Sequence, residues 1–232
     1  MNDLPLKVKK LIILVLILAV PGFFYYLLTV KGKNRYKPLP HYGPKQVAKT
    51  GHKFHGKYIP DTIYHTIGNF SLTNQLGKTI SSKDFESKVF VVNFFYSNGP
   101  ALVGAMEKNI DRLAGAYRKN RMVKFVSITV DPDRDTPDVL LKHAKKLGYA
   151  ADKWIFLTGD TSTIYPLARN GFLENAVKSG GQFIFSNKLI LIDADKHIRG
   201  KYDGASLQDV VKLNDEIKVQ IAEELRKIKA PN

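Results

Sequence analysis

Apolar residues along the chain fall into three regimes. Leu11 to Val30 (LIILVLILAVPGFFYYLLTV) is apolar without a single charge. At 1.5 Å per helical residue such a run spans the roughly 30 Å hydrocarbon core of a bilayer, which predicts a transmembrane helix. The run exceeds a signal-peptide core of about 7–15 residues and has no clear A-x-A site before Lys31, so an uncleaved anchor is expected rather than a removed leader. Pro21 and Gly22 at its middle are tolerated in membrane helices. Residues 31–62, rich in Lys, Gly, Pro and His, show neither helical nor alternating periodicity and read as a linker.

From 63 onward short β-branched and aromatic runs alternate with helical stripes. Val89–Tyr96, Lys124–Val130, Trp154–Leu157, Lys188–Asp193 and Ile198–Tyr202 are predicted strands bounded by turn residues. After Pro100, the spacing of Leu102, Met106, Ile110, Leu113 and Tyr117 predicts an amphipathic helix. Thr136-Pro137-Asp138 opens a second, with Thr as N-cap, Pro at the first position and an acid at the positive end; Leu140, Leu141, Ala144 and Leu147 face inward and Gly148 stops it. A shorter helix fits Thr161–Asn170. The last spans Ser206–Ile228 with Val210, Leu213, Ile217, Ile221, Leu225 and Ile228 as its stripe. This order, β-α-β-α-β-α-β-β-α, predicts an α/β layer fold with a mixed sheet. The expected organisation is a tail over 1–10, an anchor over 11–30, a basic linker over 31–62 and one domain over 63–232.

Charge sharpens the linker. The net charge is +15, and residues 31–60 carry eight Lys/Arg with no acid. A basic run next to a membrane segment is attracted to anionic lipid by about 1 kcal/mol per Lys/Arg, so Lys31, Lys33, Arg35, Lys37, Lys45, Lys49, Lys53 and Lys57 are expected to meet lipid rather than nucleic acid, for which no motif is present. The chain has no cysteine. That excludes disulfides, thiolate metal sites and thiol nucleophiles, and no other catalytic constellation is found, so no enzyme is expected.

Asp131-Pro132-Asp133-Arg134-Asp135-Thr136-Pro137 lies within "SITVDPDRDTPDVLLKHAKKLG", followed by "WIFLTGD". Together with "FSLTNQLGKTISSKDFESKVFVVNFFYS" before it and "LILIDADKHIRGKYDG" after it, this resembles the SCO/SenC family over about residues 65–228. The resemblance implies a thioredoxin-like fold, a single membrane anchor and a role in assembling the copper centre of cytochrome oxidase. It also implies a CPxxCP motif at the first helix start and a His before the late hairpin, both serving copper. Here the motif positions read Gly99-Pro100-Ala101-Leu102-Val103-Gly104, and the His position falls on Phe185, in the loop before "LILID". Gly and Val donate nothing to Cu(I), which prefers thiolate or thioether ligands. Pro100, Asp131, Pro132, Arg134, Asp135, Thr136 and Pro137 are expected to act structurally, with Arg134 pairing locally among the three acids. A Ca²⁺ loop is the competing reading of those acids, but an EF-hand's Gly and distant Glu are missing.

The expected function is therefore a non-catalytic binding factor without a cofactor, docking an oxidase subunit or a working copper chaperone through the surface around Gly99. The alternative is a copper carrier using other His or Met ligands. His52 and His55 are its weak candidates, with His41 and His65 nearby, although His52-x-x-His55 lacks the i, i+4 spacing of a helical pair. His143 and His197 are expected at the surface and Met106 in the core. Asp160 and Asp193 do not form an acid–base pair with any partner the sequence identifies. The family resemblance places the domain on the extracytoplasmic, periplasmic side of the membrane, whereas the Lys/Arg count around the apolar run favours the cytoplasm.

Overall fold

The computed structural model describes residues 5–27, 38–149 and 153–229, which divide into two compact units meeting between Lys37 and Pro38. The first unit contributes one helix, α1 (Leu6–Tyr26), with Pro5 at its N-cap and Pro21 inside it. Lys7–Tyr26 is long and apolar enough to cross a membrane. The helix starts earlier than expected because Lys7, Lys9 and Lys10 are good helix formers and carry the helix back beyond the apolar run. Residues 28–37, with Lys31, Lys33, Arg35 and Lys37, lie outside the described residues.

The second unit opens with a correction. Within the expected linker, β1 (Lys45–Phe54) and β2 (Lys57–Tyr64) pair as an antiparallel hairpin. A bulge between Val47 and Gly51 breaks the alternation that would have shown it in the sequence. Next come β3 (Ser71–Asn74), β4 (Thr79–Ser81), β5 (Val89–Phe95), α2 (Ala101–Ala116), β6 (Val123–Thr129), α3 (Pro137–Lys146), β7 (Trp154–Thr158) and α4 (Thr161–Pro166). A π turn over Leu167–Gly171 replaces the end expected for α4. The chain closes with β8 (Ala176–Ser179), β9 (Gln182–Phe185), β10 (Lys188–Ile192), β11 (Ile198–Asp203) and α5 (Leu207–Lys229).

Seven strands form one mixed sheet in the order β11-β10-β5-β6-β7-β3-β4. The strands β5, β6 and β7 run parallel, as crossovers through α2 and α3 require, whereas β10 and β3 join antiparallel. Strand β5 is buried on both faces: Val89, Val91 and Phe95 enter a core shared with α2, α3 and α5, while Phe90, Val92 and Phe94 enter the core beneath α4. At the centre Trp154 Nε1 donates to Ser127 Oγ (2.8 Å), which donates to Asn93 Oδ1 (2.6 Å), so these buried polar groups satisfy one another.

Two stripes shift from expectation. On α2 the buried face begins at Val103, and Leu102 is exposed, because the 3, 4, 3, 4 spacing from Val103 through Met106, Ile110, Leu113 and Tyr117 follows the helical period more closely. On α5 the buried row passes from Ile217 to Gln220 and Glu224, leaving Leu225 and Ile228 exposed. Glu224 is held there by Gln220 Nε2 (2.8 Å) and Lys227 Nζ (3.0 Å). Helix α3 ends as expected at Gly148, which takes φ +76° while the amides of Gly148 and Tyr149 reach back to Lys145 and Ala144.

Candidate functional site

At the end of β5 the chain leaves the sheet through Tyr96, Ser97 and Asn98. The Gly99 amide closes a turn onto the Tyr96 carbonyl (3.0 Å), and Pro100 is the N-cap of α2. A Cβ on Gly99 would lie 2.9 Å from Val103 Cβ and 2.4 Å from Val103 Cγ2. Side chains at the two positions expected for thiols therefore point at one another, and the isopropyl group of buried Val103 already occupies the space between them.

The third position, Phe185, ends strand β9 instead of lying in a loop. Its ring meets the Tyr96 ring edge-on at 5.6 Å, and Tyr96 also contacts Phe183 at 5.0 Å. One residue thus joins two of the three positions: the Tyr96 carbonyl accepts the Gly99 amide and the Tyr96 ring meets Phe185 on the β8–β9 hairpin. Tyr96 escaped the sequence reading, as did that hairpin, although Gly180-Gly181 between "AVKS" and "QFIF" is a two-residue turn signal; both glycines take positive φ. Beside them a cleft is lined by Tyr96, Asp131, Arg134, Lys178, Gly181, Gln182 and Phe183. It brings the family-motif acid Asp131 and two cations next to the aromatic cover.

The DPDRDTP segment supports this loop from below. Asp135, 1% exposed, accepts the Ser97 amide (3.0 Å), the Ser97 hydroxyl and the Thr129 hydroxyl. It therefore fixes the segment two residues before Gly99 to the end of β6. Arg134 Nε lies 3.7 Å from buried Asp131 Oδ2, the local pairing expected, while Asp131 takes its amide hydrogen bond to Thr129 Oγ1 (3.0 Å). Pro137 is the first residue of α3, as expected, but Thr136 at the N-cap makes no side-chain capping bond. Met106 is a core residue.

The histidines are redistributed. His143 is not a surface residue: Nε2 is 2.6 Å from Glu107 Oε1 and the ring packs on Phe95 and Phe156. His52 Nδ1 lies 3.2 Å from Asp61 Oδ1 in an exposed pair, and His55 sits in the hairpin turn against Phe54. Neither joins a third donor among the described residues that could hold a metal. His65 Nε2 contacts the Gly171 carbonyl at 2.7 Å.

The convergent donors are elsewhere, in His41, Asp193 and His197. His197 is half-buried because Asp193 accepts its amide (2.8 Å) and stands 3.3 Å from its Nδ1. His41 stacks on Tyr64 and meets His197 edge-on. Burial and the Arg199 guanidinium push the His41 pKa down, His197 adds to this, and Asp193 and Glu223 oppose it. Fully buried Asp193 also accepts the Asp195 amide and Arg199 Nη1 (3.0 Å), so four donors surround its carboxylate. Such a saturated carboxylate with a paired guanidinium is a structural keystone: Arg199 goes on to Glu223 (2.9 Å) and the Leu39 carbonyl (2.6 Å), clamping the entering chain. In a second group, Asp193, Asp195 and Glu224, the last two are bridged by Lys227.

Comparison with known proteins agrees with this architecture. The SCO1/SenC family model matches residues 60–220. A SCO1 protein homolog of Bacillus subtilis is 28% identical over 153 residues, covering 64% of this chain and 79% of that protein. The crystal structure of a SCO1/SenC family lipoprotein from Bacillus anthracis superposes with a TM-score of 0.63 at 29% identity, covering 68% of this chain and 95% of that one. BsSco, described as a Sco-family cytochrome c oxidase assembly protein with a disulfide switch, superposes with a TM-score of 0.59 at 26% identity over 66% of this chain and 92% of that one.

Proposed function

This chain belongs to the SCO1/SenC family, and from that premise we propose that it serves cytochrome oxidase biogenesis as a membrane-anchored binding factor whose copper site has lost its ligands. The observation carrying the proposal is the meeting of positions 99 and 103, with Gly99 tied to the carbonyl of Tyr96 and the Tyr96 ring against Phe185, so that hydrogen, isopropyl and phenyl groups stand at the three positions. None of these coordinates Cu(I), so the residues present do not fit the metal and no thiol chemistry passes through them.

What the frame retains is a shaped surface. Tyr96, Phe183, Phe185 and exposed Leu102 offer apolar contact beside Arg134 and Lys178, a combination suited to a protein partner. An oxidase subunit or a working copper chaperone is the partner proposed, because BsSco is described as an assembly protein for that oxidase. Helix α1 supports anchoring by its length and composition, and the lipoprotein relative supports an extracytoplasmic domain.

The test is competition for Cu(I) between the full chain in detergent and a chromophoric chelator. No stoichiometric transfer to the protein is expected. Tight binding of one equivalent would overturn the proposal, and its loss on His41→Gln with His197→Gln would transfer the role to the convergent histidines.

A further inference from the structure

The β1–β2 hairpin has a surface that the domain does not explain. A two-stranded ribbon is marginally stable in water unless something covers it. This one pairs with no strand of the main sheet. Its exposed residues include Phe54 (58%), Ile59 (41%) and Ile63 (54%). The register places Phe54 opposite Lys57 and His52 opposite Ile59, so by strand alternation Phe54, Lys57, Ile59 and Ile63 share one face with the exposed His52–Asp61 pair, while Lys53, opposite Tyr58, and Lys45, opposite Tyr64, lie on the other. The tip is tight, with positive φ at both His55 and Gly56, and it holds Phe54 and Lys57 side by side.

Charge selects the occupant. The hairpin carries Lys45, Lys49, Lys53 and Lys57 against one acid, Asp61, which is already paired with His52. Aromatic and aliphatic groups among lysines, with the apolar stems buried and the ammonium groups left in water, suit the headgroup region of an anionic bilayer. The hairpin starts fewer than about twenty residues after α1, a reach of at most roughly 65 Å when fully extended. We propose that the β1–β2 hairpin docks on anionic phospholipid headgroups through Phe54, Ile59 and Ile63, with Lys57 as the cation on that face and the lysines of the reverse face adding attraction across the thin ribbon. The inference rests on the reading of α1 as a membrane anchor.

Docking would also orient the domain. The hairpin base meets the β10–β11 turn through the flanking Tyr42–Ile198 and Thr66–His197 bridges and the edge-on contact of Tyr64 with His197. Because Ile192 is level with Phe90 at the start of β5, that turn lies at the opposite end of the sheet from Gly99, which follows the end of β5. A hairpin on the bilayer leaves the Gly99 surface at the membrane-distal end, open to a partner.

The absence of cysteine makes a single label unambiguous. Full chains carrying His55→Cys or, at the far end of the sheet, Ala205→Cys are labelled with an environment-sensitive fluorophore and reconstituted in phosphatidylcholine bilayers with or without phosphatidylglycerol. Flotation of the full chain in high salt reports the anchor separately from the hairpin. The expected result is a blue shift and quenching by spin-labelled lipid at position 55 in the anionic bilayer alone, reversed by salt, with no change at position 205. A lysine near such a surface strengthens partitioning about fivefold, so Lys57→Gln, on the docking face, should weaken docking about fivefold, and more than Lys53→Gln on the reverse face. An incorporated chain with an unquenched label at 55, equal quenching in neutral and anionic bilayers, or a shift that follows protein density instead of lipid charge would overturn the proposal. The last result would identify a second copy as the cover. A chain that does not float would fail at the anchor, and with it this inference.

Discussion

One added methyl group tests whether Gly99 and Val103 face one another. A Cβ at position 99 would stand 2.4 Å from Val103 Cγ2, 2.9 Å from Val103 Cβ and 3.0 Å from the Tyr96 carbonyl oxygen. Contacts this short force neighbours apart, and overpacking of this kind costs about 1–3 kcal/mol, so Gly99→Ala should destabilise the domain by roughly 2 kcal/mol. Val103 is 4% exposed; Val103→Ala removes two buried methyl groups, each about 0.8 kcal/mol with a further cavity cost, again roughly 2 kcal/mol. In the double variant Cγ2 is gone and the new methyl enters part of the space it leaves. The total should therefore fall about 1–2 kcal/mol short of the sum of the single effects. Urea unfolding of residues 38–232, which include the whole second unit, measures all four corners of the cycle, with equal m-values confirming a shared unfolding transition. Additivity within about 0.5 kcal/mol would mean that the two positions do not meet, and the thiol-site geometry inferred for them would fall.

Two further outcomes follow from the loop and the clamp. Asp135→Asn puts an amide where three donors converge on a buried carboxylate, and should cost about 2–4 kcal/mol, lowering the melting temperature by roughly 5–15 °C and exposing the Ser97 amide to hydrogen exchange; an unchanged Ser97 amide would refute its anchoring role. The His41 pKa is lowered from 6.5 by burial, Arg199 and His197, so the unfolded chain takes up its proton first as pH falls. Stability is fully present above that value and declines as pH drops through and below it; His41→Gln should flatten this part of the pH profile, and parallel profiles would refute the assignment.

The strands from β5 onward that join the main sheet, and the helices α2, α3 and α5, were legible because their side chains pack at regular periods onto a two-sided core. Where packing is not periodic the sequence is mute. The β1–β2 hairpin lacks a buried face and is interrupted by a bulge, so Lys, Thr and Gly read as linker. The α5 row failed beyond Ile217 because Gln220 and Glu224, polar residues that a hydrophobic stripe passes over, are buried and bonded to one another along the helix, while Leu225 and Ile228 remain outside. At the site, motif spacing singled out Gly99, Val103 and Asp135 as positions to inspect, but the contacts of Tyr96 depend on β8–β9 returning to it, a long-range contact no local pattern encodes. Asp193 likewise reads as one acid in a turn; only the fold surrounds it with Arg199 and His197.

The central claim, a copper frame without its ligands, is tested most directly by restoring them. Gly99→Cys with Val103→Cys removes Cγ2 and leaves two Cβ atoms 2.9 Å apart before relaxation, so a small opening of the turn sets two thiolates side by side. Phe185→His adds an imidazole where the phenyl ring meets Tyr96. Cu(I) titration of the folded triple variant beside the wild type should give one tightly bound equivalent for the variant and none for the wild type. A wild type that binds one equivalent at this site, or folded variants that gain none with His at 185, 186 or 187, would contradict the account.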